Sequence, residues 1–157
     1  KALSKEEMNP YYSLVEKEDV VDYILDAFDL KHPHAHIING HVPVKSKDGQ
    51  SPKKANNKLF VIDGGIAKSY HSKTGIAGYT LIFNSHHIAL AEHQDFDWLT
   101  NGLETYSPHV ETVDRYERRF LIGDTDTGKM YQKTIDYLHD LIRAYKRGEM
   151  KENILRP

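Results

Sequence analysis

Between residues 35 and 93 the apolar side chains arrive in short β-rich runs, each closed by glycine or a polar turn. AHIIN stops at Gly40, KLFVID stops at Gly64-Gly65, and GYTLIFN is parted from HIALAEH by Ser85-His86. Runs this short and β-branched predict strands, and the last two, with so brief a break, predict a hairpin. Helical periodicity is confined to the two ends. In EKEDVVDYILDAFDL, Val21, Ile24, Leu25 and Phe28 make the stripe of an amphipathic helix whose acidic first turn suits the helix dipole. From about Gly128 to Lys146, Tyr131, Ile135, Leu138, Ile142 and Tyr145 share one face, with Gly148 as the stop. The order is helix, strands, hairpin, helix. That is an α/β (α+β) layered arrangement with few strands for its apolar content.

The connections are polar. Asn9-Pro10-Tyr11-Tyr12 reads as a turn, and Lys31 to His34 is a loop broken by Pro33. Val42 to Lys58 holds Pro43, Gly49 and Pro52 and five lysines against one aspartate, the mark of an exposed loop or loose hairpin. GIAKSYHSKTG is a glycine-bounded loop, residues 94–112 read as loop with at most a helical turn, and RRFLIG is expected to be one more strand. At 157 residues the chain has the length of one domain. Its core strands and helix fall at about 9–93 and a C-terminal helical extension at about 110–152.

Composition excludes more than it identifies. With no cysteine there is no disulfide, thiolate zinc site or cysteine nucleophile. A net charge of −2 gives no attraction to nucleic acid or to a membrane surface. The apolar runs are too short to span a bilayer and no signal peptide is visible, so a cytoplasmic protein is the default expectation. The chain opens at Lys1, which fits a processed start, a trimmed chain or a piece of a longer polypeptide.

Four features tempt a chemical reading. GDTDTGKM (123–130) nearly spells a phosphate-binding loop, but Met130 stands where a magnesium-binding hydroxyl belongs, and two aspartates would repel the phosphate. Asp126 or Thr127 as a helix cap explains the same residues. HPHAH sets His32, His34 and His36 at alternate positions, a pattern able to bind zinc or copper. Pro33 and the loop setting favour solvated side chains. His86-His87 at the hairpin turn reads as a surface feature. His41 follows a strand across Gly40, a way to hold an imidazole at a sheet's carboxyl edge; a hydrogen-bonded strand-end histidine is the plainer alternative. Lysines 45, 47, 53, 54 and 58 suit a phosphate or plain solvation. Asp63 before two glycines suits a ligand, a group that orients a ligand, or a turn former.

NPYYSL, HIINGHVPVK, the Gly49-Gln50-Ser51-Pro52 turn, KLFVIDGGIAKSY, KTGIAGYTLIFNS and GDTDTGK occur in an order that resembles the carboxy-terminal part of class 3 fructose-1,6-bisphosphatases. Those are manganese-dependent enzymes of the calcineurin-like metallophosphoesterase superfamily. The resemblance runs from about Asn9 to Glu152. It implies the C-terminal half of an αββα sandwich, a mixed sheet with a hairpin and flanking helices. It also implies hydrolysis of fructose 1,6-bisphosphate to fructose 6-phosphate and phosphate in gluconeogenesis, by two-metal-ion chemistry.

Carried residue by residue, the resemblance puts a metal ligand on His41. The family's Asp-x-His, GDxxDRG-like and GNHE-like segments, which bring the other ligands, are absent from these 157 residues. The isolated chain is therefore expected to be inactive, with Mn2+ held only in the full-length enzyme. Asp63 is expected to orient a ligand from behind. Lys53, Lys54, Lys68 and Lys73 are candidates for the substrate's second phosphate, and Tyr70 for core packing or the pocket wall. The implied partners are the substrate, the N-terminal part of the same enzyme and a second copy in a homo-oligomer. A non-catalytic binding or regulatory module with a metallophosphatase-like fold is the alternative.

Overall fold

The computed structural model describes residues 7–94 and 106–151, which fall into two compact units meeting between Glu117 and Arg118. Among the described residues the first unit holds six strands and three α-helices: α1 (Tyr11–Leu14), α2 (Glu18–Ala27), β1 (Ile37–Asn39), β2 (Lys53–Lys54), β3 (Leu59–Val61), α3 (His71–Thr74), β4 (Gly78–Phe83), β5 (His87–His93) and β6 (His109–Arg115). They form two three-stranded sheets. One is mixed, in the order β1-β3-β2, with β1 parallel to β3 (Ile37 opposite Leu59) and β2 antiparallel to it. The other is an antiparallel meander β4-β5-β6. The expected hairpin is therefore present, in a sheet separate from the mixed one.

β3 explains the layering. Successive side chains of a strand point to opposite faces, and both Leu59 and Phe60 are fully buried. Phe60 joins Val44, Ala77, Tyr79, Ile88, Leu90 and Val113 between the two sheets. Leu59 joins Val15, Val21, Leu25 and Ala55 beneath α2. The unit is thus helix over mixed sheet over meander. Burial of each of these two side chains contributes about 1.5–3 kcal/mol.

The α2 stripe is only partly buried. Val21 and Leu25 are in the core and Ile24 packs on its edge, whereas Phe28 is 74% exposed, because the helix ends at Ala27 and the chain turns away. Lys58 fastens α2 from below, bonding Asp22 and Glu18; those hydrogen bonds raise the affinity of its ammonium for the proton. Val42 to Lys58 contributes β2, which pairs antiparallel with β3 just beyond it, and with Val44 and Ala55 buried the segment is less exposed than its composition suggests. Gly64 is required where β3 ends. A Cβ there would lie 2.4 Å from the Ala77 carbonyl oxygen as the strand passes the start of β4.

The second unit corrects two expectations. RRFLIG is not a strand. Asp124 accepts from the Leu121 N–H and from Arg118, folding Ile122–Asp124 into a 3-10 turn. Local side-chain bonding of this kind competes with extended structure. The helix that follows, α4 (Asp126–Lys146), starts two residues earlier than its periodicity suggests and is capped by Thr125, not by Asp126 or Thr127. The Thr125 hydroxyl accepts from the Gly128 N–H at 3.0 Å, an interaction typically worth about 1 kcal/mol. Gly148 closes the helix at φ 73°. No helix among the described residues is long and apolar enough to cross a membrane. Of the segment 94–112, residues 95–105 lie outside the described residues, and 109–115 form β6.

Candidate functional site

β1 and β3 run parallel, with Asn39 opposite Val61, so their carboxyl ends lie side by side. The Ile62 N–H donates to the Asn39 carbonyl at 2.8 Å and the Val44 N–H to the Asp63 carbonyl at 2.8 Å, which continues the pairing past both strands. His41 and Asp63 thus leave the same sheet edge, two residues beyond their strands. Clefts at the carboxyl ends of parallel strands are common ligand sites. Gly40 does not make the turn that sets the imidazole there, since a Cβ on it would meet nothing within 4 Å. The left-handed residue is Val42, at φ 54°. A β-branched side chain in that region is a true outlier, and such strain collects at functional sites.

His41 is exposed on a cleft of about 180 Å³ that it shares with Asn39, Lys45, Lys54, Glu16 and Tyr12. Each element supplies its part for a local reason. β2 points its alternate residues to opposite faces, so Lys54 turns into the cleft while Lys53 reaches Glu111 of β6 at 2.7 Å. The Lys54 ammonium is held by Glu16, from the link between α1 and α2. Tyr11 donates its hydroxyl to Asn39 Oδ1 at 3.1 Å, tying α1 to the end of β1. An imidazole, an amide and two ammonium groups in one hollow suit a phosphorylated ligand.

Of the residues singled out by sequence, the structure brings together His41, Lys45 and Lys54. Asp63 turns its carboxylate to the Gly65 N–H at 2.8 Å, forming the turn that ends β3. Lys68 and Lys73 lie exposed on the 66–74 loop, and neither lines the cleft. Tyr70 is 48% exposed, so core packing is not its role. Lys47 is taken by the Ser72 carbonyl and Lys58 by α2. Asn39, Glu16 and Tyr12 were not legible as site residues, because only folding brings residues 12, 16, 39 and 54 together.

The histidine-rich segment is the clearest reversal. His34 Nδ1 lies 2.7 Å and His36 Nε2 3.0 Å from the same oxygen of Asp114, on β6. The His36 side chain is only 7% exposed. These two histidines are not solvated, because tertiary structure supplies a carboxylate that their loop setting does not show. His86 and His87 behave as the hairpin-turn feature expected, their backbone N–H groups donating to Asn84 Oδ1 at 2.8 and 2.9 Å. The phosphate-loop reading of 123–130 fails on geometry, since a 3-10 turn rather than a strand leads into α4.

No group of three or more His, Asp or Glu side chains is placed to hold a metal ion among the described residues. His41 is one donor, and a metal site needs several.

The model of the family described as Firmicute fructose-1,6-bisphosphatase matches residues 1–147. A class 3 fructose-1,6-bisphosphatase of Finegoldia magna is 46% identical over 98% of this chain and 24% of its own length. Relatives with the same description are 44% identical over 98% of the chain in Bacteroides thetaiotaomicron and 47% over 94% in Clostridium acetobutylicum, covering 24% and 23% of those proteins. The chain therefore spans about a quarter of the length of the relatives it matches. No solved structure matches it. With a family model covering nearly all of its residues, the chain belongs to the Firmicute fructose-1,6-bisphosphatase family.

Proposed function

We propose that this chain is the carboxy-terminal part of a class 3 fructose-1,6-bisphosphatase, a cytoplasmic enzyme that hydrolyses fructose 1,6-bisphosphate to fructose 6-phosphate and phosphate. The observation that carries the reading is the family match over residues 1–147. Helix over mixed sheet over meander is consistent with three of the four layers of a calcineurin-like αββα sandwich. In this reading His41 donates one nitrogen to manganese, and the remaining coordination comes from the N-terminal part of the enzyme. The ring has to be neutral to do so, which makes metal binding weaken in acid. Lys54, released from Glu16, takes a substrate phosphate with help from Lys45. One imidazole does not make a manganese site, so the chain alone carries no catalytic step.

The test joins this chain to the remaining three-quarters of the Finegoldia magna relative and assays fructose 1,6-bisphosphate with manganese. The fusion should turn over, the isolated chain should not, and His41→Ala in the fusion should abolish turnover and lower the bound manganese. Equal turnover and metal content in the His41→Ala fusion would overturn the assignment. The alternative, a non-catalytic binding or regulatory module, predicts a well-folded but inactive fusion.

A further inference from the structure

Both ring nitrogens of His36 face acceptors. Nδ1 lies 3.0 Å from the carbonyl oxygen of Asn57, and Nε2 lies 3.0 Å from Oδ2 of Asp114. A carbonyl and a carboxylate only accept, so each nitrogen must bring a proton, and the ring that makes both bonds is an imidazolium. His34 differs, because it meets Asp114 through Nδ1 alone, at 2.7 Å, which a neutral tautomer does equally well.

Backbone irregularities converge on this point. Ala55, Asn56 and Asn57 all have positive φ (46°, 54° and 66°). Such conformations are costly for residues other than glycine and persist where the surroundings impose them. The turn they make gives His36 the Asn57 carbonyl, while Asn57 Nδ2 donates to the Val113 carbonyl at 3.2 Å. In β6, Ile88 faces Asp114 but Ala89 faces Thr112, leaving Val113 as the extra residue of a bulge. Bulges of this kind re-aim the side chains beside them, and Asp114 is the next residue. Three segments distant in sequence thus meet at one carboxylate.

We propose that His34, His36 and Asp114 form a proton-dependent clasp between the mixed sheet and the meander, closed while His36 carries both ring protons and loosened when it loses one. The groups facing it are few. Asp114 comes from β6, and His34 with His32 beside it from the same segment. The Tyr116 ring, 4.7 Å from His34, follows β6, and the Phe60 ring, 5.3 Å from His36, comes from β3. Burial, and then the charge of Asp114, push the Tyr116 hydroxyl up, so it stays neutral through the range concerned. Among these described residues, Asp114 is the carboxylate.

The sign follows from proton counting. An unfolded histidine releases its proton near pH about 6.5. Loss of the second ring proton removes one of the two hydrogen bonds of His36, so the clasp weakens with that proton's release, the unfolding constant growing by at most about tenfold per pH unit for one linked proton. On the acid side, burial works against the ionised Asp114, but the hydrogen bonds from His34 and His36 outweigh it and hold its carboxyl below the ordinary 3.8. Its contribution is present above that value and is lost as pH falls through the lowered one. The clasp is therefore complete only where Asp114 is ionised and His36 holds both ring protons. β1 begins directly after His36 and leads to His41, so loosening frees the strand that carries the candidate ligand; the clasp itself does not depend on that ligand's role.

Two measurements on the 157-residue chain test this. Long-range 1H–15N NMR at pH 6 should find both His36 ring nitrogens protonated, and a neutral ring there would overturn the proposal even if every variant failed to fold. Urea unfolding at pH 6 and pH 8 should show the wild-type unfolding constant rising more than that of His36→Gln, by at most about tenfold per pH unit, with His34→Gln keeping the wild-type response. Parallel pH responses of wild type and His36→Gln would overturn it as well.

Discussion

Phe60→Ala and Phe28→Ala remove the same ring from opposite surroundings. Phe60 is fully buried between the two sheets, against Ile88, Leu90 and Val113, while Phe28 is 74% exposed just past the end of α2. Truncating a buried phenylalanine loses its transfer free energy and leaves a cavity, together about 3–5 kcal/mol. For a domain of roughly this size each kcal/mol moves Tm by about 4 °C, so Phe60→Ala should lower it by about 12–20 °C. Phe28→Ala should stay within about 0.5 kcal/mol, as surface substitutions do. Urea and thermal unfolding followed by circular dichroism measure both. Comparable losses in the two variants would refute the layering, because they would put Phe28 in the core its periodic stripe suggested.

Two further outcomes are expected. Hydrogen bonds from Arg118, then the Leu121 N–H, hold the Asp124 carboxyl well below the usual carboxylate range. The 3-10 turn before α4 should therefore be firm above the ordinary value of 3.8 and lose that support only as pH falls toward the lowered value, with weaker amide protection at 121–128 in strong acid but no such change in Asp124→Asn, which should be weakly protected at every pH. In the fused enzyme, Lys54→Ala should raise KM for fructose 1,6-bisphosphate about tenfold to a hundredfold, the worth of a charge-assisted hydrogen bond, with kcat little changed; an unchanged KM would remove Lys54 from the site.

What the sequence made legible was whatever local periodicity controls. α2, α4 and the β4–β5 hairpin follow from their apolar spacing, and the strand before His41 from its short run and its glycine. β6 was hidden because it is an edge strand with a single buried apolar residue, Val113, among exposed His109, Val110, Glu111 and Thr112. RRFLIG misled for the opposite reason, being an apolar run bent by one aspartate. The candidate site was half legible. His41 announces itself by position, but its neighbour Lys54 could not be told from Lys53, since which face of a two-residue strand looks inward is settled only by pairing. Asp114 lies 78 residues beyond His36, and no local pattern links them.

One strand serves two masters. Because Leu59 belongs to the interior under α2 and Phe60 to the interior between the sheets, neither compartment can melt while the other keeps its packing. A slip of a single residue would exchange the two side chains and spoil both at once. The first unit should accordingly come apart in one concerted step, with β3 among the last backbone to give up its amide protons to solvent.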